Sequence, residues 1–321
     1  MNLSQRIFSI RNEQDFEKVA LEVYAYQVKN CHVYRDFVRQ LNWKEPTSIR
    51  EIPFLPIEFF KTHPILSSEQ KAQQVFKSSG TGGVRSSHSV AKLSLYEQSF
   101  NYHYHNCIGN PKDQVILALL PNYIEQGESS LIYMVNHLIG ATENELSGFV
   151  LHERDVILDR YCSALKENKK VVLFGVSYAL LDLADEQINL SEAMIIETGG
   201  MKGRRKEITK AELHRTLKKG LNCSSISSEY GMTELLSQAY SNNDGVFENS
   251  DILKVLIRET NDPFSYAKDG KTGGINVIDL ANIYSCSFIA TQDLGKIVDN
   301  GFEIVGRFDN SDIRGCNLLV E

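Results

Sequence analysis

Proline is scarce, 7 residues in 321, which leaves no room for a Pro-rich linker or stalk. No C-x-x-C pair occurs: the six cysteines stand at 31, 107, 162, 223, 286 and 316, and the closest two are 30 apart. That spacing argues against a zinc ribbon or a dithiol redox pair, and scattered single thiols suit a reducing compartment. Long apolar runs are missing too. Val115–Leu120 is among the longest and falls far short of a membrane span, and the polar start MNLSQRIFSIRNEQDFEKVA has no apolar signal core. A soluble, cytoplasmic protein with no membrane span is expected. Excess positive charge is also lacking: 34 Lys and Arg against 41 Asp and Glu give a net charge of −7. This argues against a nucleic-acid partner but not against a phosphate ligand, which needs only a local nest of N–H groups.

What is present is an ordinary globular composition, 42% hydrophobic and 23% charged, enough to build a sizeable core without disulfides. The length suggests about two domains. Residues 13–41 carry apolar residues at helical spacing (Phe16, Ala20, Val23, Tyr24, Tyr34, Phe37, Val38, Leu41). Ile52-Pro53-Phe54-Leu55-Pro56 reads as an extended connector, and 92–108 as a helix. From there short β-leaning runs at 115–120, 171–174, 193–196 and 224–226 alternate with helical stretches at 128–139, 154–167, 178–186 and 205–219. Such alternation predicts an α/β body layered around a largely parallel sheet, with ligands at the carboxyl ends of the strands. The last fifty residues are β-leaning at 275–280, 287–290, 296–298 and 302–305, with a hairpin turn at Asp299-Asn300-Gly301. A small antiparallel β subdomain is expected there, so that 1–270 forms the body and 271–321 the appendage.

Three segments can carry chemistry. Ser78-Ser79-Gly80-Thr81-Gly82-Gly83 has the small residues and hydroxyls that let a backbone curl around an anion. No Gly-Lys-Ser/Thr follows, so it is not a Walker A loop, and a plain surface loop is the simpler alternative. Ser228-Glu229-Tyr230-Gly231-Met232-Thr233-Glu234 reads as a strand end, a glycine turn and a helix start. There Thr233 would meet a phosphate oxygen and Glu234 a Mg²⁺ ion; an ordinary acidic helix N-terminus explains it as well. Gln292-Asp293-Leu294-Gly295, followed by Gly306-Arg307-Phe308-Asp309 and Arg314-Gly315-Cys316-Asn317, offers Asp293 to ribose hydroxyls, against simple hairpin turn chemistry. Tyr102-His103-Tyr104-His105 suggests a metal pair, but i and i+2 point apart on a helix. The basic run Lys202, Arg204, Arg205, Lys206 reads as phosphate-attracting or as a solvated helix start. Phe174–Tyr178 reads equally as acyl-pocket lining or as core.

Together, in this order, the three segments resemble the adenylate-forming superfamily of acyl-CoA synthetases, nonribosomal peptide adenylation domains and luciferases. The hexad resembles its Ser/Thr/Gly phosphate loop. Tyr230-Gly231-Met232-Thr233-Glu234 is similar to its Tyr-Gly-x-Thr-Glu motif, Asp293 to the Asp of Thr-Gly-Asp, and Gly306-Arg307…Asp309 to Gly-Arg-x-Asp. A narrower resemblance rests on Ile52–His63, Phe76-Lys77-Ser78-Ser79-Gly80-Thr81 and Gly199-Gly200-Met201-Lys202-Gly203-Arg204-Arg205. These are similar to the acyl-protein synthetase (LuxE-type) family, a component of bacterial bioluminescence fatty acid reductase, over roughly residues 50 to 317.

That resemblance implies a ligase using ATP and Mg²⁺. Ser78, Ser79, Gly80, Thr81, Gly82 and Gly83 would wrap the β,γ-phosphates, and Gly199 and Gly200 would lie against adenine with Tyr230 and Gly231 beside it. Thr233 would contact the α-phosphate, Glu234 the metal, and Asp293 with Arg307 the ribose. Cys316 would take the acyl group of a fatty acid as a thioester, with Arg314 depressing its pKa. A reductase or acyltransferase partner would then receive it. Two departures stand out. Gly82, Arg85 and Ser86 replace the second Thr and the Pro-Lys of the usual loop, with Arg85 left as a cation. The chain also ends 14 residues after Arg307, where the superfamily's lysine-bearing C-terminal domain is expected, and a self-acylated cysteine suits that lack. The alternatives are a ligase delivering to coenzyme A or a carrier protein, and a non-catalytic nucleotide-binding subunit.

Overall fold

A computed structural model describes residues 2–79, 84–120, 128–150, 153–200, 204–206, 208–241, 245–299 and 301–308. The helices are α1 (Leu3–Arg6), α2 (Glu13–Asn30), α3 (His32–Gln40), α4 (Phe59–Thr62), α5 (Leu93–Cys107), α6 (Ser130–Ala141), α7 (Arg154–Lys166), α8 (Ser177–Asp185) and α9 (Lys210–Gly220). The strands are β1 (Leu55–Pro56), β2 (Gln74–Lys77), β3 (Ser87–Val90), β4 (Gln114–Leu119), β5 (Gly148–Phe149), β6 (Lys170–Val176), β7 (Ala193–Thr198) and β8 (Ile226–Tyr230). They continue with β9 (Ala239–Ser241), β10 (Val246–Phe247), β11 (Leu253–Arg258), β12 (Gly273–Asp279), β13 (Phe288–Val298) and β14 (Gly301–Arg307).

Residues 13–41 form two helices rather than one. Asn12 caps α2 by accepting from the Asp15 N–H, and Cys31 breaks the run with extended backbone angles (φ −98, ψ 106). The apolar face of α2 is buried through Phe16, Val19, Ala20, Val23 and Tyr24, each large residue worth about 1.5–3 kcal/mol. Gln27 on that face is buried and donates to the Asn282 and Ile283 carbonyls while accepting from Ser287 N–H at 3.0 Å. A buried amide with its bonds met pins the helix to the sheet in one register.

Twelve strands form one mixed sheet. Its order runs β11-β12-β13-β14-β10-β9-β8-β7-β6-β4-β5, with β1 parallel to β13, while β2 and β3 form a separate antiparallel ribbon. From β5 to β8 neighbours are parallel; from β8 to β11 they are antiparallel. The β-leaning C-terminal segments are therefore the antiparallel half of the main sheet. Segments 287–290 and 296–298 join into the single strand β13, whose register shifts at Leu294/Gly295. The antiparallel set already includes β9, β10 and β11, upstream of residue 271. Two apolar clusters follow the same division. One surrounds β4, β6 and β7 with α5 to α9, and the other joins α2 and α3 to the antiparallel strands. No helix among the described residues is long and apolar enough to cross a membrane.

The strand β8, Ile226-Ser227-Ser228-Glu229-Tyr230, is buried at every position although three of its residues are polar. It sits where the sheet turns from parallel to antiparallel, and ligands of such sheets bind beyond the carboxyl ends of the parallel strands. Buried polar strands need partners, and those partners make up the site.

Candidate active site

A cleft of about 2160 Å³ opens at the carboxyl ends of β7 and β8. Ser78, Ser79, Gly199, Gly200, Tyr230, Gly231, Thr233, Glu234, Asp293 and Arg307 all line it. Five sequence segments, from Ser78 to Arg307, converge there because the parallel half of the sheet, the β2–β3 ribbon and the β13–β14 hairpin face one space. Gly80, Thr81, Gly82, Gly83, Asp309, Arg314 and Cys316 lie outside the described residues, as do Met201, Lys202, Gly203 and Asn300.

Ser78 and Ser79 follow directly on β2. Ser78 Oγ accepts from Ser86 N–H at 3.0 Å, which ties the two ends of the ribbon's connection together. Arg85 donates to the Ser78 carbonyl. Its guanidinium stands 3.6 Å from Glu128, which Lys77 also meets at 2.6 Å. Arg85 thus braces the loop's stem. Gly199 has φ +68, a left-handed conformation that favours glycine, and a Cβ at Gly200 would meet nothing within 4 Å. The backbone here is bare enough for a flat ring to approach.

The opposite wall is a cross-strand pair. Asp293 and Arg307 face each other in the β13–β14 register, with Arg307 Nε 3.1 Å from Asp293 Oδ1. Tyr230 donates to Asp293 Oδ2 at 2.9 Å. Burial pushes the Asp293 carboxyl up while Arg307, Tyr230 and Arg258 pull it down. Arg307 is 71% exposed, so this ion pair orients more than it stabilises.

The segment after Tyr230 forms a turn at Thr233–Glu234, not a helix start. The reason is that other groups take the backbone bonds a helix would use. Asp279 accepts from Leu236 N–H at 2.7 Å, Ser237 N–H at 3.0 Å and Ser237 Oγ at 2.6 Å. Asn282 donates to the Glu234 carbonyl at 2.7 Å, and buried His88 lies 2.7 Å from the Thr233 carbonyl. Burial lowers the His88 pKa to about 4. Glu234 is buried and lines the cleft. Desolvation raises its pKa, opposed by the Ser86 hydroxyl and by Arg307. One such carboxylate fits Mg²⁺, which binds through one or two carboxylates plus phosphate oxygens. No group of three or more His, Cys, Asp or Glu side chains placed to hold a metal exists among the described residues. His103 is buried in α5.

Two carboxyls outside the sequence motifs lie at and behind the cleft's floor, Glu229 lining it and Glu197 beneath. Glu197 on β7 is fully buried and receives Lys210 Nζ, Ser177 Oγ at 2.9 Å and Ser228 Oγ at 2.5 Å. Burial pushes this carboxyl up, but Lys210 and the hydrogen bonds from His214, Lys210 and Ser228 prevail and hold it at about 2. One strand over, Glu229 receives the Thr198 hydroxyl and no other side-chain donor among the described residues. Burial, with the charge of Glu197, raises it to about 7. Gln238 also lines the cleft. No hydrophobic signal in the sequence marked Glu229, because the strand around it, Ile226–Tyr230, is mostly polar. The basic run resolves differently: Arg205 pairs with Asp182 at 2.5 Å and Asp185 at 2.6 Å, Arg204 stands over the Tyr178 ring, and α9 begins only at Lys210. Phe174–Tyr178 are core residues away from the cleft lining.

Comparison with solved structures places this fold among adenylate-forming ligases. 2-Hydroxyisobutyryl-CoA ligase in its postadenylation state, in complex with 2-HIB-AMP, is similar with a TM-score of 0.67 at 13% identity. The match covers 94% of this chain and 70% of that one. ATP-bound MatB from Rhodopseudomonas palustris gives 0.55 at 18% identity, covering 73% and 47%. O-succinylbenzoate coenzyme A synthetase (MenE) from Bacillus subtilis, with ATP and magnesium, gives 0.51 at 18% identity, covering 73% and 49%. The aligned part is about half the length of the MatB and MenE chains. A comparison with curated proteins gave no match. The model of the family "Acyl-protein synthetase, LuxE" matches residues 3–321, and the chain belongs to that family.

Proposed function

We propose that this chain activates a fatty acid with ATP and Mg²⁺ and then holds the acyl group on its own Cys316. The carboxylate oxygen attacks the α-phosphorus and pyrophosphate leaves, giving acyl-AMP. The Cys316 thiolate then attacks the acyl carbon and AMP leaves, giving a thioester. The observation that carries this reading is the convergence, around one cleft, of Ser78 and Ser79, Thr233 and Glu234, and the Tyr230–Asp293–Arg307 cluster. In that arrangement Ser78, Ser79 and the glycine-rich residues after them receive the β,γ-phosphates, and Gly199 and Gly200 receive adenine beside Tyr230 and Gly231. Thr233 meets the α-phosphate, Glu234 holds the metal, and Asp293 with Arg307 takes the ribose. Bound Mg²⁺ supplies charge to the phosphates as the α-phosphorus is attacked. A cytoplasmic reductase or acyltransferase is the proposed acceptor of the thioester.

The test is pyrophosphate exchange across a panel of carboxylic acids, followed by labelling with radioactive fatty acid. Cys316→Ser is expected to keep acid-dependent exchange and to lose hydroxylamine-sensitive label. Undiminished label in that variant moves the acyl group elsewhere, to coenzyme A or a carrier if these accept it. Absence of exchange with every acid, alone or with partners, leaves a nucleotide-binding subunit.

A further inference from the structure

Beside the cleft's floor lies hydrogen-bonding capacity that the described residues do not use. Gln238 is 3% exposed and lines the cleft; its Oε1 is itself closed to solvent and has no hydrogen-bond partner among the described residues, so a ligand meets it only when the side chain turns toward the cleft. Its neighbour across Gly231 is Glu229: a Cβ on Gly231 would collide with Glu229 Oε1 and stand 3.3 Å from Gln238 Cγ. Glycine at 231 therefore lets a carboxyl and an amide lie side by side at the same wall. Glu229 and Tyr240 are partners in the β8–β9 register and share a face of the sheet. The buried Tyr240 hydroxyl also lacks a partner among the described residues. Leu131 and Met134 of α6 also line the cleft, ordinary apolar lining.

A buried amide oxygen without a donor is costly, and the cost recurs if a plain hydrocarbon is packed against it. A ligand that brings its own donor removes it. Glu229 and Gln238 flank Gly231, two residues from Thr233, so the donor must sit near the acid's reacting end. We propose that the acid received by this cleft carries a hydrogen-bond donor, a hydroxyl or an ammonium group, within a few carbons of its carboxyl, taken up by Gln238 and Glu229. This rests on the reading above that the cleft takes a carboxylic acid, and it narrows that substrate from a plain fatty acid to a donor-bearing one. A site built to hydrogen-bond its substrate discriminates strongly against the analogue lacking the group, because its own buried polar atoms are then left unpaired.

The experiment is calorimetric titration, in the presence of ATP and Mg²⁺, of the plain, 3-hydroxy and 3-amino forms of butanoic and tetradecanoic acid. At one chain length the donor-bearing acid is expected to bind at least roughly 30-fold tighter than its plain counterpart. Gln238→Leu, close in volume, is expected to bring that ratio to about threefold or less while leaving the melting temperature no lower than in the parent. Preference for the amino form that disappears in Glu229→Gln identifies an ammonium; preference for the hydroxy form identifies a hydroxyl. Equal binding of plain and donor-bearing acids, no binding of either, or a ratio unchanged in the leucine variant overturns the proposal. Pyrophosphate exchange on the same panel separates the two readings. Exchange with plain acids alone keeps the ligase and removes the donor. Selective binding without exchange keeps the donor and removes the ligase.

Discussion

Two adjoining walls of the cleft are built to opposite specifications. On the side of Thr233 and Asp293 every polar group described above is tied down. Asp279 gathers Leu236, Ser237 and Ala281, Asn282 holds Glu234, and Asp293 receives Tyr230 and Arg307. At and behind the floor, Gln238 Oε1 and the Tyr240 hydroxyl have no partner among the described residues, and among those residues Glu229 keeps a single donor, the Thr198 hydroxyl. Pre-paired groups hold atoms in place before a ligand arrives. Unpaired buried ones gain only when a ligand supplies what is missing. The two glutamates of adjacent strands repeat the contrast within one side of the cleft: Glu197, paired with Lys210, is held at about 2, and Glu229, which receives the Thr198 hydroxyl, is raised to about 7.

The hardest blow to the tied-down wall is Asp279→Ala. Asp279 is fully buried and accepts from three backbone N–H groups and one hydroxyl. Its removal strands four donors around the turn that carries Thr233 and Glu234. A loss of about 3–5 kcal/mol in urea unfolding is expected, with Asp279→Asn losing less because an amide oxygen still accepts. A loss below about 1 kcal/mol means that water serves these donors equally well and that the wall is not pre-paired in any useful sense.

The tied-down wall was largely legible in the sequence, and the floor was not. Thr233, Glu234, Asp293 and Arg307 stand in short, ordered motifs, so their types and spacing already pointed to one cleft. The alternation of apolar runs located β4, β6, β7 and α5 to within a residue or two, because strands buried on both faces leave continuous apolar runs and helices a three-to-four spacing. Three things escaped. The break at Cys31 was invisible because apolar spacing continues through it. The supposed helix after Gly231 failed because Asp279 and Asn282, over forty residues away, take its backbone bonds. The 224–226 run was placed too early, since the buried strand 226–230 is mostly polar and hydrophobicity does not mark it. Glu229 and Gln238 were passed over for the same reason: their setting comes from tertiary contacts with Thr198, Gly231 and Glu197.

The glutamate contrast makes a pH prediction of intermediate size. Glu229 has its folded pKa raised from 4.5 to about 7 by burial and by Glu197. Its contribution to stability is therefore fully present below pH 4.5 and is lost as pH rises through about 7. The change amounts to about 2–3 kcal/mol. Glu197, held at about 2, runs the other way: its contribution is present above pH 4.5 and lost only as pH falls toward 2. Between pH 5 and 8 the parent should thus lose stability relative to Glu229→Gln, measured by urea unfolding at each pH, whereas Glu197→Gln should be destabilised across that whole range. Parallel pH curves for the parent and Glu229→Gln would erase the contrast between the two carboxyls.

The smallest effect has the most diagnostic sign. If Gln238 were a structural amide, replacing it would lower stability, as replacing the bonded Gln27 should. Gln238 Oε1 has no partner among the described residues, so the ligand-free Gln238→Leu variant exchanges an unmet buried acceptor for a methyl group of similar volume. A gain of about 1 kcal/mol is expected, or a rise of roughly 2–4 °C in melting temperature. A residue whose removal helps the empty protein and harms its ligand affinity is kept for the ligand, since selection tolerates local instability where binding needs it. A fall in melting temperature for the leucine variant would place Gln238 with Asp279, among the groups that hold the cleft's shape.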